Sequence, residues 1–209
     1  MPIERVALPA MSLPAPGTLE HWIRGRRSVR HYSGESLRLE ELSQILHYSY
    51  GQTGRPGPAA YFRAVPSGGA LFPLELYAAA LNVTGLSRGI YHFNVKYAAL
   101  ERITDAAAVE GLDKLLLAKD VDLPGANVVV FVTAVLRRNL LKYQDRGYRM
   151  VLMEAGAVGQ NLSLIATSLG LGCVWLGGYL DDDLAQRIGV HPVDGPVVVP
   201  IVVGRKRVR

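Results

Sequence analysis

The chain has a single cysteine, Cys173, in 209 residues. That excludes an intrachain disulfide framework, and a reducing, cytoplasmic setting is the simplest inference. Its neighbours Gly172 and Val174 suit the start of a buried strand, so the thiol reads as an inert core group. No stretch reaches the ~18 uninterrupted apolar residues of a membrane helix. The N-terminal segment carries Glu4 and Arg5 and is broken by Pro2, Pro9, Pro14 and Pro16, which makes it a poor secretory signal. No G-x-G-x-x-G follows a strand pattern and there is no P-loop, so a Rossmann nicotinamide site is not indicated. His21, His31, His47, His92 and His191 are scattered without cysteine or carboxylate grouping, and no metal site is expected. Zinc-finger spacing and a basic stripe interleaved with aromatics are also missing, which argues against a nucleic-acid partner.

What is present is ordinary in bulk: 49% hydrophobic and 20% charged residues. The net charge of +5 is concentrated. Arg205, Lys206, Arg207 and Arg209 crowd the C-terminus, and Arg24, Arg26, Arg27 and Arg30 crowd one early loop. Without the four C-terminal charges the chain is nearly neutral, a pattern of local anion recognition rather than of a basic face.

Residues 1–17 are expected to form a flexible tail and residues 18–209 one α+β domain, a central sheet flanked by helices. Thr18 can cap a short helix through Ile23. Leu39, Leu42, Ile45 and Leu46 recur at helical spacing, giving a second helix to about His47. A loop is expected from Gly51 to Pro58. Strand patterns cover 74–81, 90–93, 98–103, 127–136, 173–176 and 197–203. In the last of these, Pro200 is easiest to accommodate at an edge or bulge. Helices are expected over 105–118 and 181–188, and a long one over 148–169. That helix is apolar on most sides, so it is buried or lies in an interface. Its Gly156 and Gly159 are expected to admit another backbone.

Three guanidiniums and a hydroxyl within five residues, Arg26, Arg27, Ser28 and Arg30, can hold a phosphate and neighbouring hydroxyls through forked, charge-assisted hydrogen bonds. An exposed arginine loop would look the same. Pro66-Ser67-Gly68-Gly69-Ala70 leads into a strand, and its small residues let backbone amides approach a planar ligand. Leu176-Gly177-Gly178 ends another strand, where a bare Gly177 N–H could point at a ring nitrogen. Arg205 and Lys206 could return to the same phosphate. Lys142 and Tyr143 lie ahead of the long helix. They read either as proton-transfer groups or as a solvated lysine and a packing tyrosine.

Together these segments carry a resemblance. The chain resembles the FMN-dependent nitroreductase superfamily and, more narrowly, its SagB/McbC-type azoline dehydrogenases, from about Trp22 to Arg205. The Arg-Arg-Ser-x-Arg opening matches the superfamily. Pro-Ser-Gly-Gly-x-x-x-Pro-x-Glu (66–75) and Lys-Tyr-x-x-Arg-x-Tyr-Arg (142–149) match the narrower group, as does the helix from Glu154 to Leu162. The resemblance implies a nitroreductase-like fold with a mostly antiparallel sheet, in an intertwined homodimer with FMN at its interface. It implies that Arg26, Arg27, Ser28 and Arg30 bind the FMN phosphate and ribityl chain. Leu176, Gly177 and Gly178 would lie near N5, and Pro66, Ser67 and Gly68 would reach an FMN held mainly by the other subunit. Lys142 and Tyr143 would supply the base or proton relay. Relatives often carry His where this chain has Ala157, which is consistent with a divergent substrate.

Three functions follow as alternatives. The first is FMN-dependent oxidation of a thiazoline or oxazoline in a small molecule or peptide, with other biosynthetic enzymes as partners that prepare the ring. The second is NAD(P)H-dependent reduction of nitro compounds or quinones on the same fold. The third is a non-catalytic flavin- or anion-binding protein.

Overall fold

The computed structural model describes residues 13–57 and 60–207; most of the expected tail lies outside the described residues. Helix α1 (Leu19–Gly25) starts at Thr18, whose hydroxyl accepts the His21 N–H. Strand β1 (Leu37–Arg38) leads into α2 (Leu39–Tyr50), which buries Leu42, Ile45, Leu46 and Tyr50. Next come β2 (Gln52–Gly57) and β3 (Ala60–Arg63), an antiparallel pair where the sequence predicts a loop. Glycine and proline favour turns only as a local preference, and cross-strand pairing overrides it here.

The chain continues through β4 (Leu74–Ala80), β5 (Val83–Thr84), β6 (Gly89–Asn94) and β7 (Ala99–Arg102). The helix expected over 105–118 is broken. A 3₁₀ turn (Ala106–Val109) is followed by Gly111 at φ +70° and only then by α3 (Leu112–Leu115). The left-handed glycine interrupts the i→i−4 ladder. The remaining elements are β8 (Val128–Ala134), α4 (Arg137–Tyr143), α5 (Asp145–Ser168), β9 (Leu171–Trp175), α6 (Asp181–Ile188) and β10 (Val197–Arg205).

Six strands form one sheet in the order β7-β6-β4-β8-β10-β9, every neighbouring pair antiparallel. All seven residues of β8 are buried. Val128, Val130 and Val132 face the core formed with α2 and α5, while Val129 and Phe131 face a second core with Leu112, Leu116, Leu184 and Ile188. The period-two alternation thus serves two apolar layers, and the sequence shows a continuous apolar run. Pro200 is tolerated inside β10 because its carbonyl accepts from Leu176, beyond the end of β9. Its missing N–H faces the same side, past the last residue of β9.

Helix α5 is more two-sided than its composition suggests. Val151, Ala155, Val158, Leu162 and Ala166 pack inward. Tyr148 (50% exposed), Leu152 (42%) and Met153 (67%) face outward. Gly159 makes room for a side chain rather than a backbone: a Cβ there would collide with the Trp175 indole. Gly156 faces open space. No helix among the described residues is long and apolar enough to cross a membrane.

Candidate active site

On leaving α1, the arginine segment lies along β9. Ser28 bridges Cys173, and the Val29 N–H donates to the Cys173 carbonyl at 2.9 Å. Gly172 permits the contact, since a Cβ there would sit 2.5 Å from Val29 Cβ. Tyr32 then bridges Lys206. Arg26, Ser28 and Lys206 are thereby gathered around the start of β9. Cys173 records this: burial pushes its thiol up, while a hydrogen bond with Ser163 and the charges of Arg26 and Lys206 pull it down.

The other predicted cations are engaged. Arg27 Nη1 donates to the Arg24 and Arg26 carbonyls, both at 2.8 Å. Arg205 turns away from the segment, donating to the Ser36 carbonyl at 3.0 Å and to Glu41 at 2.7 Å. Burial pushes the Glu41 carboxyl up, but hydrogen bonds from Arg38 and the nearby arginine charges outweigh it and hold the carboxyl low. Arg30 pairs with Asp120 at 2.8 Å across a cavity of about 180 Å³. Leu117 and the run 174–178 also line that cavity, so Arg30, Leu176, Gly177 and Gly178 meet in one place. Leu176 is buried, and Gly177 is exposed with open space beside it.

A second group surrounds the turn after β3. The backbone takes positive φ at Gly69 (65°), Ala70 (54°) and Phe72 (45°), and two of these are not glycine. Ser67 Oγ accepts the Phe72 N–H at 2.9 Å, and Glu154 Oε2 is buried without a hydrogen-bond partner among the described residues. Tyr50 Oη donates to Glu154 at 2.8 Å and accepts from the Leu74 N–H at 3.1 Å. Arg63 is held between the Tyr50 and Phe72 rings, 4.4 and 4.8 Å from their centroids. Burial raises the Glu154 carboxyl above its ordinary range despite the opposing pull of Ser67, Tyr50 and Arg63.

Lys142 and Tyr143, at the end of α4, converge on this turn. A Cβ placed on Gly69 would lie 2.6 Å from Tyr143 Oη and 2.9 Å from Lys142 Nζ. One placed on Gly68 would lie 3.0 Å from Met150 Sδ. Glycine at 68 and 69 is therefore what lets the turn close against α4 and α5. Pro66 is exposed at its start. The two groups lie apart within one chain. The turn rests on Met150 and the β9 group on Gly159, roughly 13 Å along α5 at 1.5 Å per residue.

Sequence reasoning did not single out Glu154, Tyr50 and Arg63 as site residues, and did not foresee the pairing of Arg138 with Glu75. Glu154 did leave a signal, since it interrupts the apolar stripe Val151-Ala155-Val158. So did Glu75, the one charged residue of β4. Among the described residues no group of three or more His, Cys, Asp or Glu could hold a metal ion.

The Nitroreductase family profile matches residues 23–205. The chain is 38% identical to the nitroreductase-family protein MJ1384 of Methanocaldococcus jannaschii, covering 90% of this chain and 91% of that one. It belongs to the nitroreductase family. It is also 34% identical to the microcin B17-processing protein McbC of Escherichia coli, over 71% of this chain and 55% of McbC. A nitroreductase-family structure from Anabaena variabilis superposes with a TM-score of 0.75 at 31% identity, covering 90% of this chain and 38% of that one. The E. coli microcin synthetase McbBCD complex with truncated pro-MccB17 bound gives 0.72 at 24%, over 98% of this chain and 79% of that one. A Desulfovibrio desulfuricans family structure in complex with FMN gives 0.61 at 21%, over 94% and 89%. This nitroreductase-family chain thus spans nearly all of MJ1384 but about half of McbC.

Proposed function

We propose that the protein is an FMN-dependent oxidoreductase that dehydrogenates a thiazoline or oxazoline ring to the aromatic azole. The observation that carries this reading is the convergence of Lys142 Nζ and Tyr143 Oη on Gly69. It joins the two segments that most resemble azoline dehydrogenases, and the similarity to McbC supports it.

The residues present suit FMN. Arg26, Ser28 and Lys206 form a cationic, hydroxyl-bearing cradle for a phosphate, with Arg27 and Arg30 flanking it. Gly177 and Gly178 leave room for a flat ring beside the end of β9. The cavity of one chain, about 180 Å³, is smaller than the ~300–1,000 Å³ of typical ligand pockets. A second copy would complete it by bringing its Pro66–Gly68 turn to the β9 group. Tyr148, Leu152 and Met153 on α5, and Leu19 and Ile23 on α1, are exposed apolar surface suited to such an interface.

Bound FMN supplies a two-electron acceptor for the hydride that leaves the ring. The chain's own task is the proton. Lys142 Nζ and Tyr143 Oη face one point, so whichever of them is in its basic form, a neutral amine or a phenolate, can take the proton from the adjacent ring carbon and share it with the other. The peptide bound to McbBCD makes a peptide-borne ring, prepared by partner enzymes, the substrate class to try first.

A second reading is a nitro- or quinone-reductase driven by NAD(P)H, favoured by the near full-length match to MJ1384. Mixing the flavin-loaded protein anaerobically with NADPH separates the two. The dehydrogenase reading expects slow bleaching by NADPH and nitroaromatic turnover that is negligible. Rapid bleaching with nitroaromatic turnover indifferent to Lys142→Ala overturns it.

A further inference from the structure

The relay assigned to Lys142 and Tyr143 lies on the short helix α4, and one side chain of that helix grips the facing turn. Arg138 Nη2 pairs with Glu75 at 2.6 Å, and its Nη1 donates to the Phe72 carbonyl at 2.8 Å. Arg138 and Lys142 are four residues apart, so they share a face of α4. That face looks onto 69–72: Lys142 at Gly69, Arg138 at Phe72. Phe72 is held in a left-handed conformation that an aromatic residue rarely adopts. Its N–H is fixed by Ser67 and its carbonyl by Arg138. Glu75 is itself anchored by His92 Nε2 at 3.0 Å. An ammonium at position 138 could meet Glu75 but lacks the planar fork that spans two acceptors.

We propose that Arg138 is a positioning residue. By bridging Glu75 and the Phe72 carbonyl it sets the distance between the Lys142–Tyr143 pair and the Gly68–Gly69 turn, and so where the proton acceptor stands against the ring. The proposal rests on the dehydrogenase reading for its effect on turnover, but its structural content can be measured without turnover.

The experiment uses the flavin-loaded protein and the variants Arg138→Ala, Arg138→Lys and Glu75→Gln, with Lys142→Ala as reference. The acylation rate of Lys142 by an amine-reactive ester, read by peptide mass spectrometry, reports the closure of α4 on the turn. A synthetic thiazoline peptide reports kcat and KM. The expected result is at least about threefold faster labelling of Lys142 in Arg138→Ala and Glu75→Gln, with flavin content unchanged. In all three variants kcat falls about tenfold and KM moves less than about twofold. Arg138→Lys regains wild-type melting without regaining kcat, which separates positioning from a simple charge pair. Wild-type labelling in Arg138→Ala and Glu75→Gln overturns the proposal, as does wild-type kcat in Arg138→Lys. Should Arg138→Ala not fold, Glu75→Gln and Arg138→Lys decide it. If labelling rises but Lys142→Ala turns over like wild type, the positioning stands and the relay assignment falls.

Discussion

Tyr50 Oη donates to Glu154 Oε1 at 2.8 Å, joining the end of α2 to the middle of α5 beneath the turn that carries Ser67. The same hydroxyl accepts the Leu74 N–H, so one oxygen ties two helices to the first residue of β4. Tyr50→Phe strands a buried carboxylate oxygen and a buried amide. The expected loss is about 2 kcal/mol, or roughly 4–8 °C in Tm for a chain of this size. A thermal melt followed by circular dichroism checks it.

If Arg26 and Lys206 hold the phosphate as proposed, flavin retention is expected to depend on them more than on Arg205. Arg26 and Lys206 both approach Cys173, whereas Arg205 is occupied by Glu41 and Ser36. The double change Arg26→Ala with Lys206→Ala weakens FMN binding at least about tenfold, equivalent to ~1.4 kcal/mol, with the melting temperature of the flavin-free protein nearly unchanged. Arg205→Ala does the reverse: it lowers that melting temperature and leaves affinity within about threefold. Fluorescence titration of FMN against both variants tests this, and equal loss of affinity in both contradicts it.

Stability carries a pH signature at His92. Its hydrogen bond to the Glu75 carboxylate raises the imidazole against burial, and Glu101 adds to the rise. A raised folded-state pKa means that the native protein holds the proton more tightly. The contribution is therefore complete below the unfolded value near ~6.5 and is lost as pH climbs through the folded value. On the acid side, His92 and Arg138 hold the Glu75 carboxyl low in spite of burial, so its contribution fades as pH falls below the ordinary carboxylate range. His92→Gln should therefore flatten the decline in Tm between neutral and alkaline pH. Parallel declines in both proteins would contradict the assignment.

The two glycines of α5 behave oppositely. A methyl at Gly159 meets the Trp175 ring, whose indole N–H is fixed by Ser163 at 2.9 Å. Gly159→Ala is expected to cost about 1–3 kcal/mol through overpacking. It also displaces the residue that precedes Leu176-Gly177-Gly178, shifting Trp175 fluorescence. A methyl at Gly156 meets nothing among the described residues, and Gly156→Ala should gain up to about 1 kcal/mol as a helix former. Urea denaturation of the two variants measures the contrast.

Elements whose periodicity is set by a continuous apolar face were legible in the sequence. Helix α6 starts and ends where Asp181 and Ile188 place it, and Thr18 caps α1 as its hydroxyl predicts. The buried strands β4, β8 and β10 fall within one or two residues of the apolar runs. What could not be read depends on distant partners. The β2–β3 hairpin is held by pairing that no local preference reveals. The interruption at Gly111 depends on a left-handed turn which the helical pattern around it conceals. In the candidate site, the segments 26–30, 66–69, 142–143 and 176–178 were legible as motifs, whereas Tyr50, Arg63 and Glu154 were not legible as site residues. The bonding was not legible either, because Arg205 meets Glu41 across 164 positions and Tyr50 meets Glu154 across 104.

The most direct test of the account is to mix the flavin-loaded protein anaerobically with a synthetic thiazoline peptide while following flavin absorbance and peptide mass. The expected result is loss of the oxidised flavin spectrum in step with the loss of two hydrogens per peptide, both suppressed by Lys142→Ala and by Tyr143→Phe. A spectrum and a peptide mass that stay unchanged, in a protein that binds FMN and reduces nitroaromatics with NADPH, would contradict it.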